Sequence, residues 1–196
     1  MAASRPPQPS QPGQPLELKD VTIDKCSIDN ASVRQASLHD VDLSELRLHD
    51  ANLKGSDLRD VDLSDARITD VDASRIHVTD IALVEMQLDD ADASRACVKN
   101  ARFDATEITD CSFVAAKLTD IDLTDSKLSN ACLRGVVLDD VDGRELQVTD
   151  ANLSGAKLSN VDLSNVQIAD ANIDGLTIDG VRIDELLKAR EQLAPS

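Results

Sequence analysis

Few residues of this chain could do covalent chemistry. It has three histidines (His39, His49, His77) and four cysteines (Cys26, Cys97, Cys111, Cys132). A nucleophile needs a base beside it, and zinc needs clustered ligands. The cysteines show no C-x-x-C spacing and lie near no histidine cluster, and the histidines stand singly among polar residues. The chain also lacks G-x-S-x-G, a phosphate-binding loop, H-E-x-x-H and an EF-hand loop. No catalytic residue, cofactor or metal is therefore expected, and the chain is not expected to be an enzyme. What it carries in quantity is carboxylate, with 37 Asp and Glu against 20 Lys and Arg and a net charge of −17. Such a surface repels phosphate, which argues against nucleic acid or an anionic membrane as a direct partner and favours a basic protein groove. No apolar run of about 18 residues is present. Met1 to Pro15 lacks the apolar stretch of a secretory signal. Reduced thiols and a cytoplasmic location are the expectation.

The elements that position these carboxylates follow from a period of five. From Leu16 to Glu185 the chain divides into 34 pentapeptides without a slip in register. Every central residue, from Leu18 to Ile183, is apolar except Gly143. The residue two before each centre is apolar or small, with hydroxyls only at Ser56, Thr106 and Ser126. An α-helix turns about 500° in five residues, which would scatter the centres around every side. A straight strand would send successive centres to opposite faces, because its period is two. The chain must therefore bend once per pentapeptide and enclose an apolar bore. A second period gives the number of sides. Val21, Val41, Val61 and Ile81 form one β-branched series, and Gly55, Gly135, Gly155 and Gly175 are separated by multiples of twenty. Four pentapeptides make one coil, and 34 make about 8.5 coils rising roughly 41 Å. Phe103 and Phe113 are expected to fill space left by the undersized centres Ala73 and Ala93. Gly143 has no such compensation, so a gap or bulge is expected there.

The unit seen as Ala51-Asn52-Leu53-Lys54-Gly55 and again as Ala151-Asn152-Leu153-Ser154-Gly155 resembles the pentapeptide repeat family. The resemblance covers residues 16–185. It implies an all-β, right-handed quadrilateral β-helix, to which a short C-terminal helical cap is added here. Residues 1–15 read as a disordered Pro- and Gln-rich tail, and residues 186–196 as the capping helix and its end. Asp184 to Leu193 has acidic residues first and Lys188 and Arg190 later, as the helix dipole favours. Leu186, Leu187 and Leu193 offer an apolar side for a lid on the last coil. The resemblance adds the option of an end-to-end contact between two copies.

The last residue of each pentapeptide is acidic in 18 of the 34 units, and sorting by side turns these into ladders. One holds Asp60 and Asp80. A second holds Asp50, Asp70, Asp90 and Asp110. A third holds Asp65 and Glu85. The fourth edge breaks the pattern with Gly55, Arg75 and Arg95. Over the repeat the linear charge is about one per 2.2 Å, close to the one per roughly 1.7 Å of duplex DNA. The resemblance then implies a non-enzymatic DNA mimic that binds a type II topoisomerase, DNA gyrase or topoisomerase IV, and protects or inhibits it. The alternative is a scaffold solenoid for protein–protein contacts without mimicry, since Asp and Asn suit tight corners for local reasons. Charge reversal of Asp70, Asp90 and Asp110 to Lys is expected to abolish binding and keep the fold.

Overall fold

The computed structural model describes residues 16–23 and 26–193, apart from the side chains of Glu191 and Leu193. The expected tail, residues 1–15, lies outside the described residues.

The chain winds as a parallel β-solenoid of about eight turns followed by one helix. One sheet stacks Glu17–Thr22, Ser37–Asp42, Asp57–Asp62, His77–Ala82, Cys97–Arg102, Lys117–Asp122, Val137–Asp142 and Lys157–Asp162. The opposite sheet stacks Ser27–Asp29, Arg47–Asn52, Arg67–Asp72, Gln87–Asp92, Glu107–Thr109, Lys127–Ser129, Gln147–Thr149 and Gln167–Ala169. Each strand pairs with the next at a shift of twenty residues, for example Leu38 with Leu58 and Leu58 with Val78. The twenty-residue coil is thus a direct consequence of four bent pentapeptides.

The bends have one conformational cause. The last residue of nearly every described pentapeptide has positive φ, from Asp20 at 53° to Asp170 at 50°. The bends nevertheless come in two kinds. At Glu45, Asp65, Arg75 and most of their counterparts, the N–H three residues after the central residue returns to its carbonyl, as in Leu46 N–H to Leu43 O at 3.1 Å. With positive φ only at the third position, this is the pattern of a type II turn. A side chain reinforces it. Asp42 Oδ1 accepts from Ser44 N–H at 3.0 Å, Asp62 from Ser64 at 2.9 Å and Asn152 from Ser154 at 3.0 Å. The other kind of corner carries no such closing bond at Asp110, Asn130 or Asp150. There the left-handed residue must favour its own conformation, which among non-glycine residues means Asp or Asn. From residue 20 to 170, every tenth residue is one or the other, twelve Asp and four Asn. The closed corners, held by the backbone bond, accept Arg75, Ala105 or Gly135.

Inside, the centres and the residues two before them form one apolar column from Leu38 to Leu176. The three interior hydroxyls are fully buried and satisfied. Ser56 Oγ donates to Val33 O at 3.1 Å and accepts from Ala36 N–H at 3.1 Å. Thr106 Oγ1 donates to Leu83 O at 2.5 Å, and Ser126 Oγ donates to Phe103 O. Each ties a side chain to the coil below it. Phe103 and Phe113 are both buried and line the same stretch of the bore as the undersized Ala73 and Ala93. Gly143 differs from expectation, because no bulge forms. Its N–H bonds Asp162 O at 2.9 Å in register, and Leu146 and Leu163 reach the space its side chain would occupy.

The winding ends earlier than expected. Thr177–Ile178 still pairs with Lys157 and Leu158, but the chain then turns at Asp179 and Gly180, and Val181–Arg182 pairs antiparallel with it. The helix runs Ile183–Leu193, starting inside the range 16–185 assigned to the repeat and three residues before 186. The closure is also made by other residues than expected. Leu176 is buried, Ile183 packs against the core, and Asp184 is buried between Arg182 and the end of the solenoid. Leu186 and Leu187 are 58% and 41% exposed, so neither forms a lid on the last coil. They fall on the outer side of a helix whose inner contact Ile183 already supplies. The Leu193 side chain lies outside the described residues.

Candidate protein-binding surface

The corner geometry turns each ladder residue outward. Asp50, Asp60, Asp65, Asp70, Asp80, Glu85, Asp90 and Asp110 are all exposed. In chain order around one coil the edges end at Asp60, Asp65, Asp70 and Arg75. The three acidic edges are therefore consecutive, and the Asp60 and Asp70 edges face each other across the rod. The structure assembles the eight expected residues into one acidic half, built around the two sides that end at Asp65 and Asp70, with Arg75 and Arg95 on the edge beyond.

Carboxylates stacked on successive coils repel, by about 0.9 kcal/mol per pair at roughly 4.8 Å in bulk water. The repulsion is visible in the protonation of the ladders. Asp90 is raised above the usual carboxylate range, first by a shared hydrogen bond with Asp70 and then by its charge. Asp120 does the same to Asp140. Elsewhere an amide interrupts the stack and donates to the carboxylate below: Asn100 to Asp80, Asn130 to Asp110, and Asn165 to Glu145 at 2.7 Å. Histidines lie close to the ladders near the first coils. His39 lies 3.3 Å from Asp40 and 3.7 Å from Asp60, and His49 lies 3.3 Å from Asp70.

A second set of carboxylates escaped the reading by fives. Asp42, Asp72, Asp142 and Asp162 cap the closed corners, and each is held below the usual range by hydrogen bonds from Ser44, Ser74, Arg144 and Ser164 respectively. These aspartates brace the fold. The signal was available in the sequence, because a period of ten separates [Val/Ala]-[Asp/Asn]-Leu units from the intervening ones that end in Asp or Asn. The histidines stand beside ladder carboxylates, His39 beside Asp40 and Asp60 and His49 beside Asp70.

The cysteines divide as their register requires. Cys111 is buried, its thiol is pushed up to about 11 by burial, and it donates to Thr109 O at 3.0 Å. Cys97 is exposed, and all four cysteines are free. Among the described residues, no helix is long and apolar enough to cross a membrane.

Eight copies of the pentapeptide repeat match the chain over residues 17–55, 36–72, 47–79, 87–125, 101–140 and 149–183. The chain belongs to the pentapeptide repeat family. No curated protein matches this pentapeptide repeat chain. Among solved structures it is similar to QnrB1, a plasmid-mediated fluoroquinolone resistance protein, at 16% identity over 93% of this chain and 98% of that one, with a TM-score of 0.41. It is similar to HetL, involved in heterocyst differentiation regulation in the cyanobacterium Nostoc sp. strain PCC 7120, at 20% identity over 82% and 90%, with a TM-score of 0.32. A thylakoid-lumen pentapeptide repeat protein of Arabidopsis thaliana matches at 21% identity over 61% and 71%, with a TM-score of 0.24. At these identities and scores the likeness concerns the fold and carries no argument about activity.

Proposed function

We propose that this pentapeptide repeat protein is a non-enzymatic acidic rod that binds a basic protein groove, and that the groove is the DNA-binding surface of a type II topoisomerase such as DNA gyrase. One observation carries the reading. The open corners require Asp or Asn, yet twelve of the sixteen are Asp. Asn takes the left-handed conformation as readily, and the four Asn corners show that the fold accepts it. Local geometry therefore accounts for the residue class and leaves the charge unaccounted for. The charge is retained against the repulsion that raises Asp90 and Asp140. An electrostatic partner supplies the reason. A saddle lined with Lys and Arg that wraps half the rod would meet all three acidic edges together. Such a role places the protein in the cytoplasm.

The test uses charge removal at constant shape. Reversal to Lys confounds the two effects, because every open corner holds Asp or Asn and a lysine there would strain the bend. Asp70→Asn, Asp90→Asn and Asp110→Asn together keep the corners. Purified protein should inhibit gyrase supercoiling or protect it from a fluoroquinolone, with an effect that weakens as salt rises. The triple variant should lose that effect. Full activity in the triple variant would move the site off this ladder, and no effect of the parent at large molar excess would leave the scaffold reading in its place.

A second copy of the chain is the other partner the surface favours. Ile168, Val181, Leu186 and Leu187 are exposed at the C-terminal end, beside the open edge of the terminal strand Gln167–Ala169. Exposed strand edges and apolar side chains are covered most economically by self-association. Light scattering should give a dimer for the parent and a monomer for Leu186→Glu/Leu187→Glu. A monomeric parent would remove this contact.

A further inference from the structure

Among the described residues, one group brings an imidazole and two carboxylates to a single point. His39, Asp40 and Asp60 each offer a ligand atom, and these atoms all lie within 4.8 Å of one another. We propose that this group binds a borderline divalent transition ion of the zinc class, bridging two successive turns of the solenoid.

The imidazole is the first reason. His39 Nδ1 is shielded from solvent and has no hydrogen-bond partner, although it lies 3.7 Å from Asp60 Oδ2. A buried polar atom without a partner is rare and calls for an occupant. Asp60 Oδ2, at 3.7 Å from that nitrogen, already lies near the ligand–ligand separation of a tetrahedral site with bonds near 2.0–2.1 Å. Asp40 Oδ2, now 3.3 Å from the ring's other nitrogen, would reach the same ion by rotation of its exposed side chain, and water would complete the shell.

The surrounding charges are the second reason. Lys19 and Arg59 flank His39 on the adjacent strands. Arg59 is engaged elsewhere, gripping Asp57 with bonds of 3.0 and 2.7 Å. Asp20 and Asp80 extend the same edge on either side. One imidazole with two carboxylates selects Zn2+, Co2+ or Ni2+ over Mg2+ and Ca2+, which prefer all-oxygen sites.

The molecule contains its own control. His49 stands in the same Leu-His-Asp sequence on the opposite sheet, with Asp70 one turn above. Its side chain is 57% exposed and meets only Asp70, at 3.3 Å. The identical local sequence therefore makes a three-ligand group at one place and not at the other. Bridging Asp40 to Asp60 would also tie together turns close to the N-terminal end, where Leu18, Val21 and Ile28 are only half-buried.

Calorimetric titration of the full chain with Zn2+ tests the site. Binding of one ion is expected, weakened at least about tenfold by His39→Gln and by Asp60→Asn, and unchanged by His49→Gln and Cys97→Ser. Asn already stands at equivalent corners, so Asp60→Asn keeps the fold, and circular dichroism confirms it. In the NMR spectrum Zn2+ should move the His39 imidazole signals and leave those of His49 and His77 in place. Unchanged affinity in His39→Gln, loss of binding in Cys97→Ser, or equal binding of Mg2+ would each overturn the proposal.

Discussion

A single backbone dihedral decides most of what each surface residue of this chain can be. Left-handed φ costs an ordinary L-residue about 1–2 kcal/mol, and Asp and Asn least among non-glycines. At an open corner such as Asp70, replacement by Asn should leave stability equal or raise it, because a repelling charge disappears. Asp70→Val should lower it by about 1–2 kcal/mol, read by urea unfolding. Two opposed sets of carboxylates set the pH response. Asp42, Asp72, Asp142 and Asp162 titrate below the ordinary range, so their contribution is present above an unfolded pKa of about 3.9 and is lost as pH falls through their lower folded values. Asp90 and Asp140 titrate above the ordinary range, so they oppose folding at neutral pH and cease to do so once acid protonates them. Thermal unfolding should therefore show stability level or slightly rising from pH 7 towards about 5, then falling below about 4. The Asp90→Asn/Asp140→Asn variant should flatten the rise and leave the fall.

At the scale of the element, the pentapeptide is half of the working unit. A closed corner and an open corner alternate, and the ten-residue pair is what repeats. The bore is then tuned coil by coil. Phe113 follows Ala73 and Ala93 on one side and is buried in the stretch of bore that Phe103 also lines, so Phe113→Ala should cost about 3–5 kcal/mol, measured by chemical denaturation. The end of the solenoid is a different kind of element. Arg182 clasps Asp184 with bonds of 2.8 and 2.6 Å, and the Gly175 N–H also reaches Asp184. This clasp holds Asp184 well below the carboxylate range and fixes the helix to the last turn. Asp184→Ala should release it, seen as faster hydrogen exchange over residues 171–193 with protection at mid-rod unchanged. Uniform loss of protection would show that the clasp supports the whole solenoid.

The whole molecule presents one acidic half, one edge with arginines, and an apolar C-terminal end. These three features are separable by experiment. Salt should weaken a contact made by the acidic half and leave an apolar dimer contact little affected. If the parent dimerises and also acts on gyrase, Leu186→Glu/Leu187→Glu should abolish the first while the Asn triple variant abolishes only the second. Loss of both in either variant would mean that partner binding requires the dimer.

The period of five, the four sides, the apolar bore and the outward carboxylates were legible in the sequence. They follow from arithmetic that holds wherever the register is unbroken: side-chain alternation, one bend per unit and stacking at twenty. Leu53 or Asp110 could be placed from its number alone. Non-repeating features needed the tertiary structure. Gly143 makes no bulge because its N–H keeps the ladder bond to Asp162 O, a coil away. The strict Asp or Asn corners differ from the tolerant ones because a hydrogen bond closes only the latter, and a tally by fives hides that difference. Leu186 and Leu187 stay exposed because Ile183 and Asp184 already occupy the end of the bore. His39 gathers two carboxylates where His49 gathers one, although their sequences agree. Periodicity fixes what every coil shares, whereas a site made by one coil depends on the packing around it.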